Sequence, residues 1–348
     1  MSLARPQTSQ AVFIWLLVVA AMVSAMILVG GATRLTDSGL SITEWRPVTG
    51  IVPPLTQAGW EAELELYRST TEYQVQNRGM SIGEFQFIYW WEWGHRFLGR
   101  LIGLVFALPF AIFWLRGMIP ERLKRPLLVL FALGGLQGAI GWWMVSSGLV
   151  DRLDVSQYRL ATHLGMAFVI LGASIWIALQ ARYGVSSRTP HRVAPVAAVF
   201  WGLVFVQIIL GAFVAGLDAG RIYTTWPLME GRVIPDGYLS GMGWFQAAFE
   251  SRPAVQLHHR WTGYLVALFA AVLCFLLWRD GHAELRRAAL WIGALTLIQI
   301  VLGITTLVHA APLWLSLIHQ GGAIALFAVA AIVAWKMRRI AAATNTPG

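Results

Sequence analysis

Residues 11–33 read AVFIWLLVVAAMVSAMILVGGAT, a stretch without a charged side chain. At about 1.5 Å of rise per residue, such a helix crosses the roughly 30 Å hydrocarbon layer of a bilayer. Comparable apolar runs follow at 86–115, 126–147, 159–181, 194–216, 256–278, 286–308 and 314–335. Inside lipid the backbone must satisfy its own polar groups, so such runs become helices. The chain therefore reads as an all-α integral membrane protein with eight transmembrane helices. Composition agrees: 57% of the 348 residues are hydrophobic and 12% are charged, against roughly 25% charged in soluble domains. The first run is too long for a signal peptide and has no clear cleavage site. It is expected to be an uncleaved first span in a bacterial cytoplasmic (inner) membrane.

The net charge of +9 sets topology rather than ligand class. No basic stripe with interleaved aromatics appears, which argues against nucleic-acid binding. One set of short loops holds Arg116, Arg122, Lys124 and Arg125, then Arg182, Arg188 and Arg192, then Arg279, Arg286 and Arg287, and the tail holds Lys336, Arg338 and Arg339. The positive-inside rule then places both termini in the cytoplasm. Segments 34–85 and 217–255, rich in Pro, Gly, Trp and Tyr, become ordered periplasmic caps. Cys274 is the only cysteine. It excludes an intramolecular disulfide and CxxC chemistry and reads as a small apolar packing residue.

The chain repeats itself. Asp37-Ser-Gly-Leu-Ser-Ile-Thr-Glu-Trp45 and Asp218-Ala-Gly-Arg-Ile-Tyr-Thr-Thr-Trp226 both read D-x-G-x5-W with a proline close behind. His95-Arg96 opens the second helix and His259-Arg260 the sixth. Gln137 and Gly141 in the third helix match Gln299 and Gly303 in the seventh, and His163 and His319 enter the fourth and eighth. The repeating unit has four helices, an even number, so both copies share one orientation. Two four-helix bundles, 1–192 and 193–348, related by a pseudo-two-fold axis along the membrane normal, are expected.

Four histidines in matched positions, His95, His163, His259 and His319, all fall near the periplasmic ends of their helices. A histidine within a span needs a reason, and imidazole is a usual axial ligand of haem. Within each half the two lie on alternate helices, an arrangement suited to a porphyrin held between them. The competing reading is four separate histidines, each hydrogen-bonded to a neighbouring helix. His258 points about 100° away from His259 on a helix and lacks a partner in the first repeat. His191 and His282 fall in cytoplasmic loops and His309 at a turn, so these four are not expected to be ligands. Arg96 and Arg260 suit either pairing with a haem propionate or reaching interfacial water. Glu92 shares a helix face with His95, and its repeat counterpart is Gln256, which cannot ionise. This asymmetry points to different tasks for the halves; the competing reading pairs Glu92 with Arg96 or Arg100. Gly99, Gly103 and Gly263 recur near the histidines, although small residues pack membrane helices generally. Tyr89-Trp90-Trp91 and Trp142-Trp143 read as interfacial belts.

Trp91-Glu92-Trp93-Gly94-His95-Arg96-Phe97-Leu98-Gly99-Arg100 resembles the E-x-x-H-R-x-x-G-R signature of haem A synthases. The stretch from Thr33 to Gly50, Gly216-Leu217-Asp218-Ala219-Gly220, Thr225-Trp226-Pro227-Leu228-Met229 and His259-Arg260 are similar to the same family. The long first cap and the missing loop cysteine pair resemble the branch shared by mitochondrial and proteobacterial enzymes. The resemblance implies oxidation of the C8 methyl of haem O to the formyl group of haem A, the haem of terminal oxidases. It implies haem-iron ligation by His95, His163, His259 and His319, and a functional role for Glu92. It also implies the haem O substrate in the N-terminal half and haem b in the C-terminal half, with haem A as the product. Membrane lipid, a haem O synthase and an electron donor are the implied partners. Two other classes fit parts of the pattern. A di-haem electron-transfer protein like a membrane cytochrome b explains the histidine pairs without Glu92. A transporter with parallel repeats explains the repeat without the histidines.

Overall fold

The structure, a computed structural model, describes residues 9–149, 152–184 and 190–339; Arg188 lies outside them. Among the described residues the chain is helical, with one isolated backbone bridge between Met229 and Arg232. In chain order the helices are α1 (Gln10–Leu35), α2 (Gln57–Arg68), α3 (Thr71–Val75), α4 (Ile82–Leu115), α5 (Glu121–Val145), α6 (Gln157–Tyr183), α7 (Ala194–Gly216), α8 (Trp244–Glu250), α9 (Arg252–Arg279), α10 (Ala283–Val308) and α11 (Leu313–Arg339). Eight of these, all but α2, α3 and α8, are long and apolar enough to cross a membrane, as the apolar runs require. The molecule is a multi-pass membrane protein.

The helices overrun the apolar stretches because polar caps extend them. Before α4, the Ser81 hydroxyl accepts from the Glu84 amide while the Glu84 carboxylate accepts from the Ser81 amide at 2.8 Å. This reciprocal box satisfies two amides that a helix start leaves orphaned and moves the start back to Ile82. Similarly, α5 begins at Glu121, whose acidic side chain suits a helix N-terminus.

α1, α6, α7 and α11 form the enclosed centre, and α6 is the most buried of the spans. In lipid, helices gain from close packing rather than from leaving water. Gly165 and Gly172 of α6 supply the approach, since a Cβ there would come within 2.7 Å of Ile209 and 2.9 Å of Trp201 on α7. The outer helices differ between the halves. α9 and α10 pack along their length, whereas α4 and α5 touch at few points.

The first cap contains helices that its Pro- and Trp-rich composition obscured. Trp60, Leu64 and Tyr67 recur at helical spacing, and this face of α2 packs on Phe85, Ile88 and Tyr89 of α4. Behind it Glu72 is 2% exposed, and its carboxyl accepts from the Tyr67 hydroxyl at 2.9 Å. Burial pushes the Glu72 carboxyl up to about 8. The folded cap therefore keeps a proton that the unfolded chain releases at the ordinary carboxyl value near 4.5. The resulting stabilisation is complete below that lower value and is lost as pH rises through about 8. Proteolytic protection of α2 and α3 is expected to fall in this window relative to Glu72→Gln. Parallel pH responses of the two proteins would show that Glu72 is not held neutral.

Candidate functional site

His95, His163, His259 and His319 all border one cavity of about 1160 Å³ among the spans. This exceeds the roughly 300–1,000 Å³ usual for one drug-sized ligand. Each ring lies against a glycine of an adjacent helix. A Cβ at Gly30 would come within 3.0 Å of His95, at Gly141 within 2.9 Å of His163, at Gly211 within 3.2 Å of His259 and at Gly303 within 3.0 Å of His319. Gly30 and Gly211 occupy one register relative to Asp37 and Asp218, and Gly141 and Gly303 share a motif position. The repeat is thus visible as four imidazoles backed in the same way. Gly99 and Gly263, which neighbour the histidines in sequence, instead face Met26 and Gln207, and Gly103 faces open space.

Glutamines then separate the halves. Gln207 Nε2 donates to the His259 carbonyl at 2.9 Å and lies 3.1 Å from its Nδ1. Gln299 Nε2 does the same to His319 at 2.9 and 3.1 Å. In the first half Gln137 reaches only the His163 carbonyl, at 3.1 Å, and Met26 stands where the repeat has Gln207. The rings of His95 and His163 have no such partner among the described residues. The buried Nδ1 of His163 and the Oε1 atoms of Gln137, Gln207 and Gln299 lack hydrogen-bond partners. Unpaired buried polar atoms mark a place where a further group completes the site. Among the described residues no three or more His, Cys, Asp or Glu side chains converge as for a bare metal ion. Paired imidazoles on a large, mostly carbon-lined cavity suit a porphyrin iron instead.

Glu92 is 2% exposed and saturated with partners. Its Oε2 accepts from the Ile42 amide at 2.6 Å and the Ser41 hydroxyl at 2.8 Å. Its Oε1 accepts from Arg96 Nε at 3.0 Å and Nη2 at 2.6 Å. Arg96 also donates to the carbonyls of Ile42 and Glu44 at 2.7 and 3.0 Å. In the second half Arg260 donates to the carbonyls of Tyr223 and Thr225, both at 2.8 Å, and Gln256 Nε2 donates to Tyr223 at 3.0 Å. Tyr223 and Thr225 stand in the register of Ile42 and Glu44. Both arginines therefore clamp a cap onto the helix that carries a histidine, while bordering the cavity. The pairing of Glu92 with Arg96 is present; Arg100 instead binds the carbonyls of Arg46 and Pro47.

The other histidines are engaged elsewhere. His258 Nε2 lies 2.9 Å from the Tyr238 hydroxyl, His191 pairs with Asp280 at 3.0 Å, His282 with the same carboxylate at 2.7 Å, and His309 with the Thr305 carbonyl at 2.8 Å. None of them borders the cavity. Cys274 donates to the Ala289 carbonyl at 3.2 Å.

Arg34 was invisible to motif reading because a lone arginine at a helix end is ordinary. Its guanidinium meets Asp37 at 2.9 Å, Asp218 at 3.1 Å and Asp154 at 3.4 Å. Asp37 and Asp218 both adopt left-handed backbone, with φ of 50° and 49°, which aspartate tolerates better than most residues. The two D-x-G turns thereby stop α1 and α7 and present both carboxylates to one cation.

A model of the cytochrome oxidase assembly protein family COX15-CtaA matches residues 13–331. The chain is 62% identical to a "Heme A synthase" of Maricaulis maris over 331 residues, 95% of this chain and 97% of that protein. It is 49% identical to a protein of the same name from Parvibaculum lavamentivorans, covering 94% and 93%, and 46% identical to one from Caulobacter vibrioides, covering 97% and 99%.

Replacing Arg34 with alanine leaves three carboxylates without their shared cation. Removing one partner of a fully buried pair costs about 3–5 kcal/mol. Each aspartate here is a third or more exposed, so a loss of about 1–3 kcal/mol is expected after screening. Thermal unfolding in detergent measures it, with Arg34→Lys between the two; an unchanged Arg34→Ala midpoint would show the clamp to be idle.

Proposed function

The chain belongs to the haem A synthase family, and on that premise we propose that it oxidises the C8 methyl of haem O to the formyl group of haem A. The observation that carries this reading is one repeated constellation turned into two unlike sites. We read the chain as two four-helix halves, 1–192 and 193–348, related by an axis along the membrane normal; what supports this is that two histidines on each side are backed by glycines in matching registers. Only the second half places a glutamine amide beside both imidazoles, and only the first has a carboxylate, Glu92, three residues before its first histidine, where the second has Gln256.

Rings with a glutamine at their back suit a resident group, so His259 and His319 would hold haem b, which supplies one-electron chemistry when bound. Ligation through Nε2 needs Nδ1–H as a donor, so each glutamine would have to turn its unpaired Oε1 toward Nδ1. Rings without such partners suit a substrate that must enter and leave, so His95 and His163 would hold haem O. The guanidinium groups of Arg96 and Arg260 place positive charge at the same end of the cavity as the histidines, favourable to porphyrin carboxylates. Glu92 Oε2 is the proton acceptor assigned to the methyl oxidation. The Ser41 hydroxyl and the Ile42 amide hold that oxygen in place, and Arg96 fixes the carboxylate's orientation through Oε1. The distribution of basic loops supports termini in the cytoplasm and haem sites toward the periplasm. A haem O synthase and a separate electron donor are the proposed partners.

Haem extracted from protein purified out of cells supplied with haem O tests the reading: chromatography with mass detection is expected to find haem b together with haem A. Haem b alone would favour an electron-transfer cytochrome. Glu92→Gln is expected to retain haem b while haem A formation falls about a hundredfold, within the range of general acid–base contributions; undiminished haem A would reduce Glu92 to its cap-tethering role. Gln207→Met, which copies the first half, is expected to weaken haem b retention on washing without affecting expression. Equal retention would remove the glutamine from the argument.

A further inference from the structure

The two halves differ at one further place. α4 and α5 make few contacts, whereas their counterparts α9 and α10 pack along their length. The two helix pairs also differ in side chains, although Leu297 and Ile300 are exposed and only Thr296 is buried. Aligned on His95 and His259, Gly103 of α4 matches Ala267 of α9. Aligned on Gly141 and Gly303, the positions Gly134, Gly135 and Gly138 of α5 match Thr296, Leu297 and Ile300 of α10. A Cβ at any of the four glycines would meet nothing within 4 Å. Gly134 is exposed where Thr296 is buried, so one register position is open in the first half and closed in the second.

The opening is bounded. Toward one end of α5, Phe131 stacks on Phe106 of α4 with centroids 5.9 Å apart. Toward the other, Trp142 packs on Trp45 at 5.1 Å and lies under Arg96. From Phe131 to Trp142 the helix rises about 16 Å at 1.5 Å per residue. All four glycines also border the cavity that holds His95 and His163. Beside them are the unpartnered, buried Oε1 of Gln137 and Nδ1 of His163, polar atoms that a group entering by this route would reach.

We infer that the seam between α4 and α5 is a lateral portal through which an isoprenoid-tailed porphyrin passes between the bilayer and the N-terminal site, its tail remaining in the glycine-lined gap. This deepens the proposed function and rests on it. Physical reasoning favours the lipid side. A porphyrin with a long hydrocarbon tail partitions into the bilayer, so entry through the polar caps would first require pulling that tail into water. The closed α9–α10 seam correspondingly suits a group that stays.

The test transplants the second half's residues into the first: Gly103→Ala, Gly134→Thr, Gly135→Leu and Gly138→Ile, made together and, separately, Gly138→Ile alone. The full-length proteins are purified from cells supplied with haem O, and bound haems are quantified per chain. In the fourfold variant, haem O plus haem A is expected to fall at least about tenfold while haem b stays at the wild-type level, which also reports an intact fold. Gly138→Ile is expected to lower them in the same direction and decides the matter if the fourfold variant loses haem b. Wild-type haem O and haem A with unaltered haem b would overturn the portal. So would loss of co-purifying phospholipid alone, which would make the gap a lipid site. Failure of the wild-type protein itself to carry or form haem A would instead strike the functional reading.

Discussion

Inside a bilayer a polar atom has no water to fall back on, and every strongly polar group within or beside these spans is arranged under that constraint. Glu92 shows it most fully: both carboxylate oxygens are saturated by Arg96, Ser41 and the Ile42 amide. Arg96 and Arg260 spend their donors on cap carbonyls in the same register of the two repeats. Gln137, Gln207 and Gln299 satisfy the carbonyls of three of the histidines. Against this economy stand the buried atoms at the cavity without a partner, among them His163 Nδ1 and the Oε1 atoms of Gln137, Gln207 and Gln299.

A repeated unit also supplies its own control. Both copies agree in the glycine behind each imidazole and in the arginine clamp on each cap. Where they part, the difference marks separate tasks. Glu92 faces Gln256 across the repeat, Met26 faces Gln207, and the open Gly134 faces the buried Thr296. Arg34, shared by carboxylates from both D-x-G turns and from Asp154, ties the two halves at their junction.

Glu92 is at once the tether of the first cap and the candidate proton acceptor. The two roles are compatible, because an immobile carboxylate is better preorganised for proton transfer than a mobile one. Its surroundings make the cap part of the site: Ser41 and Ile42, far from the histidines in sequence, hold the oxygen assigned to chemistry.

Much was legible in the chain itself. Apolar runs of bilayer length dictate the spans, because an unpaired backbone cannot remain in hydrocarbon, and their even-numbered repeat aligns the histidines. The choice of His259 over His258 followed from the repeat, and the structure puts only His259 at the cavity. Helix α2 was legible in principle from the spacing of Trp60, Leu64 and Tyr67, but its apolar face is short and sits among turn residues. Sequence alone could not show that Gly30 and Gly211 back the histidines rather than Gly99 and Gly263, that Arg34 gathers three aspartates, or that α4 and α5 stand apart. Those depend on which faces of distant helices meet. Local periodicity specifies that a face is apolar or small, but only packing in three dimensions decides what lies against it.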